Sequence, residues 1–111
     1  MDISPAMVRE ASRLNLDIQF VEGNMVSLNM KLESLGAIVS FYSIIHLDRG
    51  ERFKAMAEMR RVLRANGYAL IAFQQGSETI YSAELWGHTV NLDATFFTSS
   101  EIIGQLERTG F

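Results

Sequence analysis

Two nearly all-apolar segments, separated by a segment of helical pattern, constrain the fold of this chain more than any other feature. Residues 36–42 and 68–73 are apolar at almost every position, as in strands that are covered on both faces. Between them, Asp48 can cap a helix that runs to about Arg64, and Asn66 with Gly67 supplies a left-handed stop. A strand, a helix and a second strand in this order predict a parallel α/β unit with a right-handed crossover.

The segment before these strands predicts a helix and one more strand. Ser4 can cap the free amides of a helix that begins at Pro5 and ends at Asn15. Residues 18–21 predict a short strand, because three of the four are apolar residues with a high β-strand propensity and a turn follows at Gly23 and Asn24. Residues 25–35 alternate poorly and have room for a short helix.

The pattern weakens after the second apolar strand. Residues 74–97 are mixed and aromatic without a clear period, which predicts a loop that contains short strand or helix pieces. Residues 98–101 form a capping-box pattern, so a last helix is expected from there to Gly110. We expect one α/β domain over residues 1–111, with a mainly parallel sheet and helices on both faces.

Composition excludes several classes of function. A net charge of −3 gives no electrostatic reason to expect a nucleic acid or an anionic membrane as partner. The absence of cysteine excludes disulfides, thiolate zinc sites and thiol nucleophiles. The two histidines stand 42 positions apart with no carboxylate at ligand spacing, so we predict no metal site. No apolar run reaches membrane-spanning length, and a cytoplasmic enzyme is the default expectation.

A cluster of arginines on the long predicted helix has a simple interpretation. Arg60, Arg61 and Arg64 share their segment with Glu51 and Glu58. Mixed charge of this kind is typical of a solvated helix face rather than of a site for an anionic partner.

Polar residues that follow the predicted strands are the candidates for a site, because parallel sheets bind ligands at the carboxyl ends of their strands. Asp2 precedes a capped helix, where a carboxylate can accept from both hydroxyls of a ribose. It can also simply assist the helix N-terminus, and the residue alone favours that interpretation. Asn24 can accept from an adenine amino group while the Met25 amide donates to the ring, although a turn asparagine is commoner in isolation.

His46 lies beyond the end of the strand at residues 36–42. It can act as a general base near neutral pH or orient a substrate hydroxyl. It can equally pack or cap at the start of the long helix, and the residues alone leave both interpretations open.

Four segments, in this order and at this spacing, resemble class I S-adenosylmethionine-dependent methyltransferases. Residues 2–11 resemble the end of the family's second strand and the next helix, and residues 20–24 its third strand. Residues 38–47 are similar to the fourth strand with its exit through a histidine and a leucine, and residues 59–71 to the Arg-Val-Leu turn into the fifth strand. Residues 97–111 look like the family's late helix, which ends in Gly-Phe.

The resemblance implies S-adenosylmethionine as cofactor and assigns roles to individual positions. Asp2 matches the acid that holds the cofactor ribose, and Asn24 stands where the family commonly has aspartate. Met25 would supply a backbone amide to the adenine ring. Ser40 and Phe41 lie where the fourth strand passes the methionine moiety. His46 matches a residue near the transferred methyl group, so the resemblance implies the base or orienting role for it.

The family's Gly-x-Gly-x-Gly loop has no counterpart among these residues, since no two of the eight glycines are close enough to form it. We therefore expect an internal piece of a methyltransferase, without the family's first and final strands and with little or no activity alone. The expected acceptor is a small organic molecule, because residues 74–97 are rich in aromatics. A non-catalytic module that forms a homodimer by strand exchange is the alternative, and a nicotinamide-binding Rossmann fold is a weaker one.

Overall fold

The computed structural model describes all of residues 1–111. It contains three α-helices, four β-strands and one short 3-10 helix. In chain order they are α1 (Pro5–Leu14), β1 (Leu35–Phe41), the 3-10 helix Ile44–His46, α2 (Arg49–Val62), β2 (Leu63–Ala72), β3 (Thr79–Leu85), β4 (His88–Thr95) and α3 (Ser99–Arg108). None of the helices is both long and apolar enough to cross a membrane.

The predicted strand-helix-strand unit is present. β1 pairs with β2 in parallel, with Val39 opposite Leu70, and α2 connects the two strands. α2 begins at a complete capping box, in which Asp48 and Glu51 each accept from the other's backbone amide. The mixed α/β fold expected from the sequence is confirmed.

The junction between α2 and β2 differs slightly from the prediction. The helix ends at Val62 rather than near residue 64, because Leu63 is already extended and its side chain is buried. Asn66 adopts the left-handed conformation, but it does so inside a bulge of β2 rather than at the helix end. Gly67 allows a close approach there, since a Cβ atom would lie only 3.0 Å from the carbonyl oxygen of Gly36.

The core lies where the 3-10 helix, α2 and α3 meet. Its buried apolar side chains belong to Ile44, Ile45, Met56, Met59, Phe97 and Ile102. Arg52 is buried beside them: its guanidinium lies 4.2 Å from the centre of the Phe97 ring and donates to the Leu47 carbonyl oxygen at 2.9 Å. Arg52 also pairs with Glu101 at 3.3 Å, so one side chain links all three elements.

The opposite face of the parallel pair is not covered by other residues of the chain. Val39, Phe41, Tyr68 and Leu70 lie on one face of the β1–β2 pair and are 63–80% exposed. The expectation that β1 is covered on both faces is therefore wrong for these 111 residues, because none of their other elements packs there.

Two of the predicted short elements do not form. Residues 18–21 are not a strand, and only a single parallel bridge joins Asp2 to Glu22. Asp2 alone pairs with this segment, through its amide to the Val21 carbonyl oxygen and through its carbonyl oxygen from the Gly23 amide. Residues 25–34 form turns rather than a short helix.

Residues 74–97 are predicted to form a loop that contains short strand or helix pieces. In the structure they are mainly an antiparallel hairpin of β3 and β4. Its two turn residues, Trp86 and Gly87, have φ angles of 50° and 80°, as in a type I′ turn. The signal for it was present in the sequence: a glycine-containing two-residue turn between two segments that contain β-branched residues.

Candidate functional site

One cavity of about 530 Å³ lies at the carboxyl end of β1. The N-terminal residues and the turn after residue 22 form one wall, and β1, the 3-10 helix and α2 form the other. Its lining includes Asp2, Asn24, Met25, Leu28, Ile38, Val39, Ser40, Ser43, His46, Leu47, Glu51 and Met59. Five of the six residues that the sequence selected are thus brought to one place.

Phe41 is the sixth, and it does not line the cavity. Its side chain is 71% exposed and meets Tyr42 edge-on, with 4.7 Å between the ring centres. Successive side chains of a strand point to opposite faces, so Phe41 lies on the face opposite the buried Ser40. Val39 shares the face of Phe41 and still borders the cavity, whereas Phe41 does not.

Asp2 combines a structural contact with a free acceptor. Its Oδ1 accepts from the Ser4 amide at 2.8 Å, and Ser4 in turn caps α1. Its backbone is held against Val21 and Gly23 by two hydrogen bonds, of 3.2 and 2.9 Å. No protein group donates to Oδ2. The carboxylate therefore supports the helix start with one oxygen and offers the other to the cavity it lines.

The turn at Asn24 leaves a backbone donor free. The Asn24 Oδ1 accepts from the Val26 amide at 3.0 Å, as in an ordinary Asx turn. The Met25 amide donates to no protein group, although Met25 lines the cavity and its side chain packs against the core. An amide without a partner beside a cavity is available to a ligand acceptor.

His46 is oriented by the hairpin. Its Nδ1 lies 2.8 Å from the backbone carbonyl oxygen of Asp93, on β4. A carbonyl oxygen only accepts, so Nδ1 carries the proton, and in the neutral ring Nε2 keeps its lone pair. No protein group forms a hydrogen bond with Nε2. The sequence did not indicate Asp93, because its part in the site depends on a backbone atom of a hairpin that was not predicted.

Ser40 and Ser43 form a second polar pair in the same lining. Their hydroxyl oxygens are 2.8 Å apart, and either can be the donor. The pair satisfies the buried Ser40 hydroxyl at the strand end and joins β1 to the loop that leads to His46.

The outer wall is fastened to α2 by Glu58 and Arg61, a pair that we call the Glu58–Arg61 clamp. Arg61 donates to the carbonyl oxygens of Leu28 and Met30, both at 2.9 Å, and Glu58 accepts from the Leu28 amide at 2.7 Å. The Arg61 hydrogen bond holds the pKa of the Glu58 carboxyl below its ordinary value, against an opposing effect of burial. The sequence had suggested that Arg61 lies on a solvated helix face. The structure shows instead that it holds the outer wall of the cavity.

Comparison with known proteins gives the family. The model of the methyltransferase domain family matches residues 1–67, which is more than half of the chain. The chain belongs to this family, and the nicotinamide-binding alternative has no such support. No curated protein sequence is significantly similar.

Solved structures agree on the fold. An S-adenosylmethionine-dependent methyltransferase from Methanosarcina mazei superposes with a TM-score of 0.84 at 19% identity, over 97% of this chain and 66% of that one. A possible histamine N-methyltransferase from Thermotoga maritima gives 0.71 at 19% identity, over 98% of this chain and 52% of its own. The cyclase SpnF gives 0.68 at 18%, over 97% and 40%. The chain thus spans less than two thirds of each of these structures.

Proposed function

We propose that the chain is part of an S-adenosylmethionine-dependent methyltransferase and that its 530 Å³ cavity takes the adenosyl part of the cofactor. The observation that carries the proposal is the convergence of Asp2, Asn24, Met25, Ser40 and His46 on one cavity at the carboxyl end of a parallel strand. These residues come from four separate places in the chain, so their meeting was not forced by sequence proximity.

The free polar atoms of the cavity fit such a ligand. Its volume is within the range of about 300–1,000 Å³ typical of small-molecule sites. Asp2 offers one unpaired carboxylate oxygen for a ribose hydroxyl, and Met25 offers an unpaired amide for an adenine nitrogen. Asn24 fits less well: its Oδ1 already accepts one hydrogen bond, so it would have to use its second lone pair.

When bound, the cofactor supplies a methyl group that its sulfonium already makes electrophilic. The protein then has to orient a nucleophile and exclude water rather than provide a covalent intermediate. His46 can do the first through Nε2, by accepting a proton from the acceptor or by orienting it, because Asp93 fixes the tautomer.

A small organic acceptor is the second part of the proposal. The structural relative from Thermotoga maritima is described as a possible methyltransferase of histamine, which is a small amine. The hairpin that orients His46 carries Tyr81, which is 60% exposed and available for stacking. The cyclase SpnF has the same fold, so the fold alone does not fix the reaction.

Calorimetric titration of the 111-residue chain with S-adenosylmethionine and S-adenosylhomocysteine tests the cofactor site. We expect binding that Asp2→Ala weakens by about tenfold or more, the loss of one charge-assisted hydrogen bond. Asp17→Ala is the matched control, because it removes the same exposed charge outside the cavity. A folded chain that binds neither compound, or equal weakening by both variants, would contradict the proposal.

A non-catalytic module that dimerises by strand exchange is a second candidate. Strand exchange needs unpaired strand edges, and each strand of the two-stranded β1–β2 sheet has one. The exposed apolar face formed by Val39, Phe41, Tyr68 and Leu70 also favours association, since large apolar patches mark association sites. Sedimentation equilibrium separates the two functions: a dimer that Leu70→Lys dissociates and that does not bind the cofactor supports the module. Leu70 lies on the exposed apolar face and does not line the cavity.

A further inference from the structure

We propose a second, separate site: the cleft between α2 and α3 binds the phosphate group of a small ligand. The cleft has a volume of about 460 Å³. Its lining consists of Arg49, Gly50, Phe53, Lys54, Gln105 and Arg108. None of these residues lines the cavity at β1, so the two sites are built from different side chains of α2.

The charge of the cleft has one sign. Arg49, Lys54 and Arg108 line it, and no carboxylate does. The three ion pairs of the structure involve other arginines, so none of these cations is ion-paired. Because the whole chain is acidic, with a net charge of −3, this concentration of positive charge is local and not a property of the overall field.

A buried amide is directed at the same place. Gln105 is only 2% exposed, yet its side chain makes no hydrogen bond in the protein. Its Oε1 is sealed from solvent, whereas Nε2 is not among the sealed atoms, so the amide's donor end is the one that reaches the cleft. Nε2 has no acceptor in the protein, so an oxygen of a ligand in the cleft can accept a hydrogen bond from it.

The first turn of α2 adds a backbone donor. Gly50 lies in this turn and lines the cleft, and a Cβ atom there would meet nothing closer than the Asp48 Oδ1 at 3.4 Å. Amides of a first helical turn have no intrahelical acceptor and stand at the positive end of the helix dipole. The Asp48 and Glu51 carboxylates already cap this end of the helix, so the main donors to a phosphate dianion are the side-chain cations and the Gln105 amide.

The remaining lining limits the ligand to a small polar one. Phe53 is the only apolar residue of the cleft and is 43% exposed. A peptide or lipid would need a larger apolar contact than one ring provides. We therefore assign the cleft to a small phosphorylated molecule, of which inorganic phosphate is the simplest probe.

The test is an NMR titration of the ¹⁵N-labelled chain with inorganic phosphate, and with acetate at equal ionic strength. We expect phosphate to shift the amides of residues 49–54 and 105–108 in a saturable way, and acetate to leave them nearly unchanged. The Lys54→Ala/Arg108→Ala variant should weaken phosphate binding by about tenfold or more. The Arg9→Ala/Lys31→Ala variant, with the same change of charge at exposed positions outside the cleft, should not.

Two further variants separate a site from general electrostatics. Lys54→Ala alone lies on an exposed helix face and should keep the fold while weakening binding. Gln105→Met keeps the buried volume, removes the donor and should also weaken binding by several-fold. Equal effects of phosphate and acetate, equal weakening in the control pair, or shifts spread over the whole surface would overturn the proposal.

Discussion

The first 34 residues and the remainder of the chain are held together in different ways, although both form walls of the same cavity. None of residues 1–34 is buried, whereas all twelve buried residues lie between Ser40 and Gln105. The cavity therefore has one wall built on a packed core and one wall attached mainly by hydrogen bonds. Regions with few buried contacts open at lower free energy, so ligand binding should depend on a segment that detaches first.

The attachment of the first region is concentrated at one point. The Glu58–Arg61 clamp holds Leu28 and Met30, and the Arg61 backbone oxygen accepts from the Glu33 amide at 3.0 Å. Leu28 lines the cavity, so the clamp connects the core to the wall directly. This arrangement predicts that the two regions can be perturbed separately.

The largest effect is expected from the core. Phe97→Ala removes a fully buried ring and the partner of the Arg52 guanidinium, and should lower the free energy of unfolding by about 3–5 kcal/mol. Urea denaturation followed by circular dichroism measures it. Phe53→Ala is the control, because the same residue type is 43% exposed there and should cost clearly less. Equal costs would mean that the core is not where the structure places it.

The next effect concerns the clamp alone. Arg61→Met keeps the length of the side chain but removes the donors to Leu28 and Met30, and it should release the first region while the core stays folded. Hydrogen exchange of the Leu28 and Glu33 amides should accelerate by about tenfold or more, and exchange in α2 should not. Arg64→Met, an exposed neighbour without an ion pair, provides the control. Parallel acceleration in α2 would show that the two regions unfold as one.

A smaller and reversible effect is expected from pH. The folded pKa of Glu58 is held below its ordinary value of 4.5, so the clamp's contribution is fully present above that value. It is lost as the pH falls through the lower folded pKa, when Glu58 gains a proton. The exchange rate of the Leu28 amide is measured in the unmodified chain and in Glu58→Gln, and both rates are corrected for the intrinsic exchange rate. The two rates should become equal only below about pH 4.5. Convergence near neutral pH would contradict the assignment.

The sequence predicted the elements whose signals are local. Asp48 as a helix cap and residues 98–101 as a capping box are short-range signals, and both helices begin at these places. β1 and β2 were recognisable from their nearly continuous apolar segments, although one face of the pair is exposed. Such features depend on neighbours only a few residues away, and a single sequence contains that information.

Features that depend on distant partners were missed or wrong. Residues 18–21 have the composition of a strand, but a strand forms only if another extended segment pairs with it. The orientation of His46 depends on the backbone carbonyl oxygen of Asp93, 47 positions away. Every residue has such an oxygen, so the residue type at position 93 gives no signal. Arg61 looked solvated because its carbonyl partners are likewise invisible in the sequence. Five of the residues that line the cavity could be predicted, but not the contacts that orient them.

The smallest effect is expected in the first region itself. Leu16→Ala changes an apolar side chain that is 92% exposed, and it should alter the free energy of unfolding by less than about 0.5 kcal/mol. The same substitution type at the buried Leu63 should cost about 2–5 kcal/mol, which makes the pair a direct measure of the contrast between the regions. Denaturation at several protein concentrations completes the test. A large, concentration-dependent cost at Leu16 would show that this region is packed against another molecule, and would contradict a first region held mainly by the clamp.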